Sequence, residues 1–291
     1  MHHYLPAIGF SKLDKDGLKE LIEEIELRPD FQESAINVDG SQFAELRYMV
    51  ADNIGLVLRG SYNENDEFIM EYYYPTYYGS SVSTDANVEI IQQSDKENFQ
   101  VMCDEIRVGV NLIFQLQNMG EFLRISSKKE NGDTRGINFA ALSVDGKILL
   151  PVYSNEKIRE KTKIRHEKKM ELYNKAKEGV DGAMEKLAMD DMDLYSKVSR
   201  RMMKEDVYSI VSTYFMPYGI ENDKYDILGE ILDVKTAINH LTMEEMYVML
   251  LQCNDIELEL CINKNDLLGE PAIGRRFKGI IWLQGTVDFL Q

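Results

Sequence analysis

The densest set of chemically capable residues in the acidic C-terminal part is Gly274-Arg275-Arg276-Phe277-Lys278-Gly279, followed by Ile280-Ile281-Trp282-Leu283. It holds three of the six basic residues after position 205 and the only tryptophan of the chain. Cationic groups beside an indole face suit an anionic ligand or the bases of a single strand of nucleic acid. The competing structural reading is a strand in which Arg275 and Arg276 pair with neighbouring carboxylates while Trp282 fills a core. A second concentration is Glu71-Tyr72-Tyr73-Tyr74-Pro75-Thr76-Tyr77-Tyr78-Gly79, with five tyrosines. Flat rings carrying a hydroxyl can stack on sugars or unstacked bases. The alternative is a strand whose alternate tyrosines enter the core and which Pro75 and Gly79 end. The ligand-binding candidates are therefore Arg275, Arg276, Lys278, Trp282, Tyr72 and Tyr74.

Other chemistries are thinly supplied. Asp14-Lys15-Asp16-Gly17 with Glu23 resembles part of a calcium loop, but its first ligand position falls on Lys12, a cation, so a capped helix start is the better reading. Four histidines occur: His2 and His3 at one end, His166 in a charged segment, and His240 before Leu241. No HExxH, CxxC or paired Cys/His spacing is present, nor a GxSxG elbow or Gly-rich phosphate loop. Asp190-Asp191-Met192-Asp193 lies on an expected helix, where successive carboxylates diverge. The seven basic residues from Lys157 to Lys169 interleave with Glu160 and Glu167, as a solvated helix does; docking onto an acidic partner is the functional alternative. No catalytic residue, metal or cofactor is assigned.

The chain has 291 residues with 33 Lys+Arg and 50 Asp+Glu, a formal charge of −17. Such a balance disfavours general attraction to nucleic acid or anionic lipid. The three cysteines, Cys103, Cys253 and Cys261, fit a reduced cytoplasm better than a disulfide scaffold. The start has no charged region followed by an apolar stretch, and no run approaches about 18 apolar residues. A cytoplasmic protein, neither exported nor embedded, is expected.

The elements that must position these residues follow from spacing. Leu18, Leu21, Ile22 and Ile25 predict a helix over 13–27 with Asp14 as N-cap, closed by Arg28-Pro29. From 32 to 153 the pattern is β: 43–50, 55–62, 68–74, 88–93, 122–126, 137–144 and 147–152, with the long run 98–117 either strand or partly helical. Asn63-Glu64-Asn65-Asp66, Asn118-Met119-Gly120 and Val144-Asp145-Gly146-Lys147 mark turns, so the strands they join are antiparallel. After Pro151 the composition jumps to a net +3 over 156–205 and favours helices at about 155–178 and 182–204, the second with Met184, Leu187, Ala188, Tyr195, Val198 and Met202 as its apolar stripe. Beyond 205, a short helix turning into a strand precedes strands at 225–234, 246–253, 256–263 and 277–289, with a turn at Asn254-Asp255. Ile256, Leu258, Leu260 and Ile262 alternate strictly. The expected fold is α+β: an antiparallel β-rich domain (1–153) with one leading helix, a helical connector (154–205) and a small C-terminal antiparallel β-barrel (206–291), with an OB-like barrel as the named candidate.

The opening Met1-His2-His3-Tyr4-Leu5-Pro6-Ala7-Ile8-Gly9-Phe10-Ser11, the segment Tyr214-Phe215-Met216-Pro217-Tyr218-Gly219 and the segment Gly274 to Gly285 resemble, over the whole length, a clostridial family of uncharacterised proteins known as a domain of unknown function. The resemblance implies a complete bacterial cytoplasmic protein and carries no activity, substrate or cofactor. The functional expectation is a binding or assembly module without a recognisable catalytic site, acting on an unknown protein partner or on itself. The alternatives are nucleic-acid or anionic-ligand binding through the C-terminal barrel, and an enzyme whose site is assembled from distant residues.

Overall fold

Asp14 accepts a hydrogen bond from the Gly17 N–H at 2.8 Å and so starts helix α1, Lys15–Leu27. Its buried face is Leu18, Leu21 and Ile25, the expected stripe, and the Arg28 N–H closes it onto the Glu24 carbonyl. The computed structural model describes residues 1–291 except 37–39, 87, 93–98, 106, 109, 128–133, 153–167, 169–170, 173, 177–178, 203–205, 221, 255 and 290–291. Two compact units divide the chain: Met1–Leu149 with Thr213–Gln291, and Leu150–Ser212.

In the larger unit, a 3₁₀ turn at Leu5–Ile8 precedes α1 and ends at Gly9, whose φ of 84° is left-handed. A Cβ there would also lie 2.8 Å from that of Asn239, whose amide donates to the Ile8 carbonyl at 2.9 Å. Strands β1 (Phe31–Ile36), β2 (Gln42–Ala51), β3 (Ile54–Tyr62) and β4 (Phe68–Tyr77) form an antiparallel four-stranded meander. The Asn63–Asp66 turn is where the sequence puts it: Asn63 Oδ1 accepts from the Asn65 and Glu67 N–H groups, and Asp66 takes φ 60°.

The second sheet has eleven strands. From the first half come β5 (Val88–Gln92), β6 (Phe99–Glu105), β7 (Val110–Leu116), β8 (Thr134–Ser143) and β9 (Gly146–Leu149). From the second half come β10 (Tyr214–Pro217), β11 (Lys224–Ile238), β12 (Glu245–Cys253), β13 (Ile256–Asn263), β14 (Leu267–Leu268) and β15 (Arg276–Phe289). The main order is β10-β11-β12-β13-β8-β15-β7-β6-β5, and β11 also pairs β15. The run 98–117 resolves into the β6–β7 hairpin. Sequence-adjacent partners are antiparallel, whereas β13–β8, β14–β9 and β15–β7 are parallel and join the halves.

Three local expectations are corrected. Residues 122–126 are not a strand but part of helix α2, Met119–Ser127, which buries Met119, Leu123 and Ile125. Five residues, Phe122-Leu123-Arg124-Ile125-Ser126, are too few for a period that separates strand from helix, and Met119 with Leu123 supplies an i,i+4 pair on the helix's buried face. The Val144-Asp145 turn makes no β8–β9 hairpin, because both edges of β8 are occupied by β13 and β15, and β9 pairs β14 and β15 instead. The C-terminal strands share one sheet with strands of the first half, a long-range pairing that local periodicity does not display. Of the Asn254-Asp255 turn, Asn254 takes φ 45° and Asp255 lies outside the described residues.

In the smaller unit, helix α3 spans Ala183–Met202 and α4 spans Val207–Ile210. Leu187 is buried, but Met184 of the expected stripe is 60% exposed. Most of the helix expected at 155–178, and of the basic run with it, lies outside the described residues. No described helix is long and apolar enough to cross a membrane. The described side chains contain no group of three or more metal-binding residues.

Candidate functional site

Backbone register creates two polar rows in the larger unit. Across the four-stranded sheet, Glu33, Glu45, Arg59 and Tyr72 are successive cross-strand partners. Across the other sheet, Gln100 on β6, Gln115 on β7 and Gln284 on β15 align likewise. Charged and amide side chains on inward faces need partners, since burying them unpaired is costly. Glu45 is fully buried and binds Arg59 Nε at 2.7 Å and Arg47 Nε at 2.6 Å. Arg59 also donates to the Leu116 carbonyl at 2.9 Å and sits 4.7 Å from the Tyr74 ring centroid. Burial opposes the Arg59 charge, but Tyr74 and Glu45 outweigh it and raise its pKa. Its Nη1 nevertheless has no hydrogen-bond partner among the described residues, nor has the Tyr74 hydroxyl.

Between these rows the N-terminal segment covers Trp282. The Tyr4 ring stacks on the indole at 5.5 Å and 25°, and His2 lies 4.8 Å from it. The Trp282 Nε1–H donates to Asp223 at 2.8 Å, and Gln100 donates to the same carboxylate oxygen at 3.2 Å. The His2 N–H donates to the Tyr73 hydroxyl at 2.9 Å. Burial, with the nearby charges of His3, Lys224 and the terminal amine, lowers the His2 pKa to about 4, so the imidazole is neutral near pH 7. His2, Tyr4, Gln100, Asp223 and Trp282 frame a cleft of about 420 Å³, within the usual range for small-ligand sites. His3, Tyr72, Gln115, Ile220, Asn222 and Lys224 also line it. Gln115 is 1% exposed, and its Nε2 has no hydrogen-bond partner among the described residues.

Tyr72 also lines a smaller cavity of about 210 Å³ with Phe43, Arg59, Ser41, Ser61 and Phe99. Gly60 forms its floor at a β-bulge, where a Cβ would fall 2.0 Å from the Ile69 carbonyl oxygen. Only glycine fits that approach.

The six candidates from the sequence separate. Tyr72 and Trp282 meet in the cleft. Tyr74 is fully buried and touches Trp282 edge-on at 6.2 Å. The three cations lie elsewhere along β15 and its preceding loop. Lys278 donates to Asp226 at 2.9 Å; burial lowers its pKa, but its hydrogen bonds to Tyr214 and Asp226 win and raise it. Arg275 donates to the Glu270 carbonyl at 2.7 Å, and Arg276 is buried opposite Glu230 in register. Sequence reasoning passed over His2, Tyr4, Gln115 and Asp223. The available signal was glutamine in apolar strands: Gln115 and Gln117 interrupt Phe114-Gln115-Leu116-Gln117, and inward amides mark either a lock or a site.

A polar lock does stand nearby. Glu259, buried on β13, accepts from the Tyr77 hydroxyl, from the Ser80 N–H at 2.7 Å and hydroxyl at 2.9 Å, and from the Ser81 N–H at 3.0 Å. Burial raises the carboxyl pKa, but these bonds together hold it below the ordinary range.

A β-rich protein with one aromatic cleft and no metal cluster among the described residues is the class that fold and geometry define. The chain belongs to the family described as a domain of unknown function from an E. rectale gene (DUF3881), whose match spans residues 5–285. Comparison with curated proteins and with solved structures gives no match.

Proposed function

We propose that the chain is a binding module whose site is the aromatic cleft, and that it holds a small, polar, ring-bearing ligand without transforming it. The observation that carries this reading is Gln115. A buried amide without a partner costs about 1–3 kcal/mol, and its place in the wall of an aromatic cleft supports a ligand that completes it. Asp223 is engaged by Trp282 and Gln100, and no serine or cysteine lines the cleft, which supports binding rather than group transfer. Calorimetric titration of the full chain with monosaccharides and with nucleosides tests it. Binding of either class that is lost in Gln115→Ala and Tyr72→Ala, with the fold retained, is expected. Binding of neither class overturns the reading.

We also infer that β11, β12, β13, β8 and β15 form a small OB-like barrel. The ladder supports this: each pairs the next, and β15 pairs back to β11. Five strands is the count of such barrels. The barrel keeps alive nucleic-acid binding through Arg275, Arg276 and Lys278 as the second reading. The Asp226 contact to Lys278 and the −17 charge weigh against it. Binding of oligo-dT with a log-log salt slope near −0.7 per phosphate, abolished when all three cations become Ala, would promote it.

A further inference from the structure

We propose that the ligand is a neutral oligosaccharide of at least two rings that lies across Tyr72, one ring in the aromatic cleft and the next in the smaller cavity. This rests on the binding reading of the cleft.

Three observations carry it. First, the two cavities share Tyr72 as a wall, and the consecutive residues Phe99 and Gln100 line one each. A ligand confined to a single ring leaves one cavity unused. Second, each cavity includes one almost fully buried side chain with an N–H that lacks an acceptor: Gln115 Nε2 in the cleft, and Arg59 Nη1, on a residue 3% exposed, in the smaller cavity. Donors of this kind call for hydroxyl or ring oxygens, which a sugar carries around its whole rim. The Ser41 and Ser61 hydroxyls add groups that can donate or accept. Third, the rings are set at angles. His2 is inclined 68° to Tyr72 and 38° to Trp282, and Tyr4 already stacks on Trp282. Such walls offer no parallel slot for a flat base, but they suit a puckered ring whose C–H groups meet aromatic faces at several inclinations.

The charges select against a polyanion. Asp223 and Lys224 both line the cleft, while Glu71 and Arg59 line the other cavity, where Arg59 is already neutralised by Glu45 at 2.7 Å. With no net positive field and an overall charge of −17, a phosphate chain gains nothing on approach. A neutral chain of linked rings incurs no such penalty.

The experiment is calorimetric titration of the full chain with glucose, N-acetylglucosamine, cellobiose, maltose and N,N′-diacetylchitobiose, with nucleosides and oligo-dT as the competing class. Fluorescence of Trp282, the only tryptophan, is followed in parallel. Affinity for at least one disaccharide about ten-fold or more above that for its monosaccharide is expected. Ser61→Ala should return the disaccharide to the monosaccharide level, while Gln115→Ala weakens both. Equal affinity for one and two rings overturns the two-ring proposal and leaves the cleft as a single-ring site. Binding of nucleosides or oligo-dT without any sugar overturns it in favour of a base-binding site. Binding of none of these probes overturns it together with the function on which it rests.

Discussion

Glu259 and Glu45 are both buried carboxylates in the larger unit, yet their surroundings differ in one respect. Around Glu259 every oxygen is answered, by a tyrosine, a serine and two backbone N–H groups, and the lock ties β13 to the segment after β4. Around Glu45 the two arginines satisfy the carboxylate, but among the described residues one Arg59 nitrogen and the Tyr74 hydroxyl are left over, and Arg59 lines the smaller cavity. A completed polar cluster holds the fold together. An incomplete one beside open volume is where a ligand can add what the chain lacks.

The largest effect that can break this comparison is expected at Arg59. Arg59→Met leaves Glu45 buried with only Arg47 and should destabilise by about 3–5 kcal/mol in chemical denaturation. Next comes Glu259→Gln, which removes the charge from the hydrogen bonds and should cost about 1.5–3 kcal/mol. Because the folded Glu259 pKa lies below its unfolded value, its contribution is complete above the ordinary carboxylate range near about 4.3 and declines as pH falls through the folded pKa. The difference in stability between wild type and variant should therefore shrink on acidification, and a constant difference down to low pH would refute the assignment. Lys278→Met, at a partly exposed pair, should cost no more than about 1 kcal/mol.

Two smaller effects sharpen the other side of the comparison. The folded His2 pKa lies below its unfolded value, so the docked segment is fully stabilised above about 6.5 and loses stability as pH falls toward about 4. Trp282 emission should shift in that window, and the shift should vanish in His2→Gln. Gln115→Ala should change stability by less than about 1 kcal/mol, since lost packing is offset by removal of an unpaired amide, while ligand binding is lost. A large destabilisation there would class Gln115 with the locks.

Much of the local order is legible in the sequence. Asp14 announces α1, Asn63 to Asp66 the β3–β4 turn, and the alternation Ile256 to Ile262 a strand whose four isoleucines and leucines are fully buried. Tyr72 and Trp282 stand out by type, but their meeting does not. It depends on β15 lying beside β11 and β7, and on the first turn folding back over the indole, contacts between residues far apart in the chain, Tyr4 and Trp282 the farthest. His2 and Tyr4 carry no local pattern, and a terminal position argues for nothing. Glu259 occupies the second face of an alternating strand, where a carboxylate ordinarily reads as solvated, and only the loop after β4 makes it interior.

Strand β15 has a consequence for the order in which the chain can fold. It is synthesised after every strand it pairs, namely β7, β8, β9 and β11. Until it leaves the ribosome, edges of all four stand open, and non-local pairing of this kind is slow to form. Strands β7, β8 and β9 must therefore wait for β15 before their sheet is complete. A chain cut short before Arg276 would present several unsatisfied strand edges at once, a state prone to pair with other copies of itself.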